Sequence, residues 1–137
     1  MFYTPRKTPE PIIREIKKSF ELYWINQDAC LNSIRRSLEI LCDEFKIPRY
    51  RNPEEKSGFI SLARRIEQLH ENANLNIEKE ILDTIKDSGN FGTHNNKDII
   101  DDEVIKITYE LLQHIISKIY DKERYNKLVK SLKGKLK

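Results

Sequence analysis

The run "NQDACLNSIRRSLEILCDEFKIP", Asn26 to Pro48, constrains this chain more than any other. Leu31, Ile34, Leu38, Leu41 and Phe45 recur at the three-and-four spacing of one helical face. Cys30 and Cys42 flank that stripe. Asn26 or Asp28 offers a side-chain oxygen to the free amides of a first turn. Pro48 ends the helix, because proline lacks an amide and restricts the residue before it. Arg35 and Arg36 lie one step off the stripe, and Arg35 can pair with Glu39 four residues on. A helix with so continuous an apolar face needs other helices to cover it.

The rest of the chain supplies them. Pro5, Pro9 and Pro11 punctuate an extended lead-in over residues 1–8, and a helix can begin near Pro9 or Pro11. Ile13, Ile16, Phe20 and Trp24 mark its face. "RYRNPEEKSG" reads as a polar loop, with Ser57 as a candidate cap for the helix that carries Leu62, Ile66 and Leu69. A further helix places Ile77, Ile81 and Ile85 on one side and ends at Gly89, where a left-handed cap suits glycine. Asp98 or Asp101 caps the next, with Asp102 and Glu103 in its positive first turn. Its stripe of Val104, Ile107, Leu111, Ile115 and Ile119, widened by Leu112 and Ile116, marks it as the central helix. No segment alternates with period two, so no strands are expected. The fold predicted is all-α, a compact bundle of five or six helices. Its domain covers residues 9–120, and a basic helix or tail covers 121–137.

At 137 residues the chain has the size of one domain with one core. Cys30 and Cys42 are 12 apart on one helix, about 18 Å, too far to bridge. Two reduced, packed thiols suit a reducing compartment. No apolar run approaches a membrane span, and "MFYTPRKTPEP" has no apolar signal core, so a cytoplasmic protein without membrane attachment is expected. Net charge is +3 but uneven: residues 1–20 carry +3, residues 121–137 carry +5, and the middle carries −5. Basic ends of this kind meet phosphate or an acidic partner, or serve as soluble tails.

The stretch "KDSGNFGTHNNKD", Lys86 to Asp98, gathers the residues with special backbone ability. Gly89 and Gly92 reach angles that others avoid, Asn90 bonds exposed backbone, and Thr93 adds a hydroxyl. These four are expected to build a structural turn. His94 either braces that corner, meets a partner, or acts as a general base on a phosphate. His70 and His114 are expected to be structural or exposed. The sequence has no phosphate loop, no HExxH and no zinc spacing, so neither metal nor cofactor is expected.

"SIRRSLEILCDEFKIP", followed some fifty residues later by "IKDSGNFGTHN", resembles the DUF4145 family of small helical domains related to the HEPN superfamily. The family pattern is an R-x-x-L-E helix, an R-I-x-x-L helix and a G-N-x-x-x-H turn. Here these are Arg35 to Glu39, Arg65 to Leu69, and Gly89–Asn90 to His94. The resemblance implies an HEPN-like helical bundle, an association with anti-phage defence, and pairing as a homodimer. Some HEPN proteins are metal-independent ribonucleases that use an R-x4–6-H motif, in which arginine grips the phosphate and histidine moves the proton. Counting back from His94, the matching positions are Asp87, Ser88 and Gly89, and none is a cation. Lys86 is one step too far and lacks the two-pronged grip of arginine.

Three functions therefore compete. The first is a non-catalytic dimerisation or partner-binding module of a prokaryotic defence or nucleic-acid-processing system. The second is a metal-independent ribonuclease using His94, with Lys86 as the candidate cation upstream of it. The third is RNA or DNA binding through the basic ends, with Arg35, Arg36, Lys127, Lys130 and Lys133 as contacts.

Overall fold

Helix α2 (Gln27–Glu44) is the element on which the others are laid. Before it comes α1 (Glu10–Tyr23), and after it a hairpin of β1 (Tyr50–Asn52) and β2 (Ser57–Phe59). Then follow α3 (Leu62–Glu71), α4 (Lys79–His94), α5 (Asp102–Tyr120) and α6 (Lys122–Lys135). The computed structural model describes residues 2–72, 78–94 and 102–137, and the backbone alone at 90–94 and 123. Among the described residues the fold is an all-α bundle of six helices with one small antiparallel hairpin.

The predicted α2 stripe is observed: Leu31, Ile34, Leu38 and Leu41 are buried, as are Cys30 and Cys42. The helix packs against α1, α3, α4 and α5. Asn26 is its N-cap, accepting from the Ala29 amide at 3.1 Å. At the other end Lys46 takes φ 61°, with Ile47 N donating to Cys42 O and Lys46 N to Asp43 O. That pair of bonds is a Schellman closure, here with lysine in the place glycine prefers. Ile47 folds back into the core behind it.

Several faces differ from the expectation. On α1 the buried residues are Ile12, Ile16 and Ser19, whereas Phe20 and Trp24 are exposed. The face is rotated because Ser19 bonds Tyr109 of α5 at 2.7 Å, a close approach that a large apolar residue would block. On α5 the buried set is Ile105, Thr108, Leu112, Ile115 and Ile116, and Ile107 is half exposed. Thr108 takes the inner position by bonding Val104 O in its own helix and Ser88 in α4, both at 2.7 Å. The central helix is thus α2 and not α5. On α4, Leu82 and Ile85 are buried and Ile81 is partly so; Ile77, Asp98 and Asp101 lie outside the described residues. Ser57 belongs to β2, and the α3 cap is Ser61, which accepts from Arg64 N at 3.3 Å. Within the stretch read as a polar loop, Tyr50–Asn52 and Ser57–Phe59 pair as strands, with Tyr50 opposite Phe59.

The largest correction concerns Gly89. Helix α4 runs on to His94, so Gly89, Asn90, Gly92 and Thr93 are helical and do not form the expected turn. Glycine is required at 89 for a different reason. A Cβ there would sit 2.5 Å from the Cβ of Arg35 on α2. The two helices cross too closely for any side chain. Replacing Gly89 with alanine improves helix propensity by about 1 kcal/mol yet forces the crossing apart. The expected outcome is a net loss of about 1–3 kcal/mol in urea unfolding. Lys46→Gly, which relieves the left-handed lysine, is expected to raise stability by about 0.5–1 kcal/mol in the same assay.

Candidate functional site

The three motif pieces read from the sequence meet in space around α2. Arg35 lies against Gly89 of α4, and its Nη1 is 3.8 Å from Glu39 Oε1 one turn on. The backbone carbonyl of Glu39 then accepts from Nη1 of Arg65 on α3 at 3.3 Å. Arg65 is only 2% exposed. Its Nη2 also donates to Asp43 Oδ1 at 2.5 Å and to Ile47 O at 2.8 Å. A buried guanidinium thus ties α3 to the closing turn of α2. The motif residues Arg35, Glu39, Arg65 and Gly89 fasten helices together.

Lys86, expected as the cation beside His94, is mostly covered and sits between two carboxylates. Its Nζ is 3.9 Å from Asp83 Oδ1 and 3.5 Å from Asp87 Oδ1. That setting balances the lysine's charge with two carboxylates and opposes an approaching phosphate. The side chains of Asn90, Thr93 and His94 lie outside the described residues. Five residues, about 7.5 Å of helix, separate Gly89 from His94 along α4. His70 and His114 are exposed. Among the described residues no three His, Cys, Asp or Glu side chains gather as metal ligands.

The candidate anion contacts fall into two groups that the fold does not bring together. Arg35 and Arg36 are on α2, paired with Glu39 and Glu15, each at 3.8 Å. Lys127, Lys130 and Lys133 are on α6. Lys127 lines a groove of about 610 Å³ together with Arg124, Arg6 and Lys7. The two basic ends of the chain therefore converge on one surface. Tyr3 holds the lead-in there by donating its backbone amide to Gln113 Oε1 of α5 at 2.7 Å. Lys130 and Lys133 line a second recess on α6 with Asn126, Val129 and, again, Lys127.

One feature was missed by sequence reasoning. Phe2, Phe20, Tyr23, Trp24 and Tyr109 wall a cleft of about 610 Å³. Beneath it the Tyr109 hydroxyl meets Ser19 at 2.7 Å and Cys30 Sγ at 3.2 Å. The signal available was the gathering of aromatics in the first 24 residues. Both cysteines are buried and free, as expected. Burial pushes the Cys42 thiol up to about 11, and burial also raises Cys30 against the hydrogen bond from Tyr109. Neither is a nucleophile at neutral pH.

The Arg65 clamp has a pH signature. Burial raises the Asp43 carboxyl, but the hydrogen bonds from Arg49 and Arg65 outweigh it and hold the group below its ordinary 3.8. A depressed carboxylate contributes stability above its unfolded pKa and loses it as pH falls through the folded one. The urea midpoint is therefore expected to decline below about pH 4, and Asp43→Asn to flatten that decline. Arg65→Met, which strands the carbonyls of Glu39 and Ile47, is expected to cost about 3 kcal/mol at pH 7.

No curated protein and no solved structure matches the chain. One family does, that described as "Domain of unknown function (DUF4145)", and it matches residues 17–135. The match begins inside α1 and takes in the whole of α6. With five of its six helices wholly inside the matched span, and Arg35, Arg65 and Gly89 joined around α2, this chain belongs to the DUF4145 family.

Proposed function

We propose that this protein is a non-catalytic helical module that dimerises and docks a protein partner, in a prokaryotic defence or nucleic-acid-processing system. The observation that carries this reading is the state of α6. Every described side chain from Lys122 to Lys137 is exposed. Tyr125, Leu128, Val129, Leu132 and Leu136 are between 48% and 75% exposed. They recur at three-and-four spacing and form one apolar stripe. An isolated helix of 14 residues is marginal in water. This one has no side-chain cap at its N-terminus and an unpacked glycine, Gly134, in its last turn. Apolar stripes on such helices are normally covered by a partner.

Homodimerisation is the narrower part of the reading. Trp24 and Ile25, at the corner between α1 and α2, are 85% and 81% exposed. With Phe20 they make an apolar patch, whose adjoining cleft also carries Lys106 and Glu110, and which suits self-pairing. Tyr23, next to Trp24, bonds Asp102 at the start of α5. The patch therefore lies close to the start of α5. An HEPN-like ancestry and a cytoplasmic setting, which the two reduced thiols suit, belong to the same proposal. The setting of Lys86 between Asp83 and Asp87 counts against the ribonuclease alternative. Nucleic-acid binding is the second reading, supported by the convergence of Arg6, Lys7, Arg124 and Lys127 on one groove.

Trp24 is the only tryptophan, so its emission reports on the patch alone. Sedimentation is expected to show a dimer at tens of micromolar, with Trp24 emission moving to the blue as concentration rises. Ile25→Glu is expected to weaken association at least tenfold. A monomer whose emission is independent of concentration overturns the dimer. Cleavage of single-stranded RNA in chelator that disappears in His94→Ala overturns the non-catalytic assignment.

A further inference from the structure

Two surfaces lie side by side on α6. One is the apolar stripe from Tyr125 to Leu136. The other is the groove between α6 and the lead-in, lined by Arg6, Lys7, Arg124 and Lys127 with Tyr3. Leu128 belongs to both, so stripe and groove are continuous. Within the groove wall the carboxylate is Asp121, which is only 14% exposed and paired with Arg124 at 3.4 Å. The stripe is bordered on its opposite side by Lys130 and Lys133.

We propose that this combined surface docks an acidic amphipathic helix of another protein, with its apolar side on the stripe and its carboxylates in the groove. The inference rests on the partner-docking reading of α6 and names the partner's chemistry. Charge complementarity selects it over the other occupants. Residues 121–137 hold seven Lys and Arg against two acidic residues, so a second α6 would set like charges along both flanks. A polynucleotide would satisfy the groove but leave Leu128, Val129, Leu132 and Leu136 uncovered, since bases stack on aromatic rings and α6 offers little more than Tyr125. A bilayer surface is flat and would cover the stripe while leaving the groove empty. An acidic helix satisfies both, because anchors at i, i+3, i+4 and i+7 match the stripe and carboxylates on its flank reach arginine and lysine.

The experiment uses the full chain and a labelled synthetic peptide of about 18 residues, with leucine at heptad spacing and glutamate between. The comparators are the same peptide with lysine for glutamate, a short oligouridylate, and phosphatidylserine vesicles. Anisotropy is expected to show saturable binding of the acidic peptide, with the lysine peptide and the oligouridylate at least tenfold weaker. Vesicles are expected not to compete. Leu132→Asp and the double change Arg6→Glu with Lys127→Glu are each expected to weaken binding about tenfold or more. Both alter exposed positions, and unchanged thermal unfolding confirms that the bundle is intact. Gly134→Ala, which preorganises α6, is expected to tighten binding about threefold.

Tighter binding of oligouridylate or vesicles, or peptide binding indifferent to both variants, overturns the acidic-helix partner. Protection of α6 amides from hydrogen exchange through self-association does so as well. In each of those cases α6 remains a docking element, for an occupant of different chemistry. If no probe binds and α6 amides exchange without protection in a monomer, the docking reading of α6 falls with it.

Discussion

Everything in this fold depends on how closely α4 crosses α2. At Gly89 there is no room for even one carbon, because the stem of Arg35 occupies the place a Cβ would take. Close crossing lets Leu82 and Ile85 of α4 reach the same core as Ile34, Leu38 and Leu41 of α2. It also fixes α5, whose Thr108 bonds Ser88 one residue before the crossing. At the far end of α2 the Arg65 guanidinium ties α3 to the Glu39 and Ile47 carbonyls. A central helix held at a glycine contact on one side and at a buried arginine on another has little freedom to slide. Arg35, Arg65 and Gly89 each have a packing role in this structure.

The sequence showed the helices better than it showed their faces. The α2 stripe was legible because that helix is buried by neighbours on several sides, so its apolar positions and its inner positions coincide. On α1 and α5 the inward positions include Ser19 and Thr108, small polar residues that pack by hydrogen bonding across to a neighbour. Counting apolar residues cannot find such positions, and it put Phe20, Trp24 and Ile107 inside when they face out. The hairpin escaped notice because each strand is three residues long and its sides are mostly charged or exposed. Gly89 was misread for an instructive reason. Glycine serves either an unusual backbone angle or a close approach, and sequence alone does not tell which. The surrounding asparagines argued for the first, and the geometry chose the second.

The candidate site was legible in its parts but not in its assembly. The basic ends were visible as charge, yet nothing in a linear reading says that residues near 6 and near 127 share a groove. The lead-in reaches that place because Phe2 packs edge-on against Phe20 and Tyr109, and Tyr3 bonds Gln113. Lys86 was visible as a cation upstream of His94, but a linear reading does not show that the carboxylates of Asp83 and Asp87 lie on either side of it.

Helix α6 stands apart from this logic. The other five helices each contribute buried residues to one core, whereas among the described residues α6 contributes none. It is nevertheless inside the matched family domain. A segment that shares a family's boundaries but not its core is under a different physical constraint from the bundle. Its described side chains are all exposed, whereas Ile115 and Ile116 of α5 are buried. Five large apolar side chains held in water on one stripe oppose solubility and gain nothing for the isolated fold. Removing them from water would contribute about 1.5–3 kcal/mol per fully buried leucine. That free energy is unspent in the bundle and becomes available only when another surface meets α6. The division between a closed five-helix core and an open sixth helix is therefore also the division between what holds this molecule together and what it presents to others.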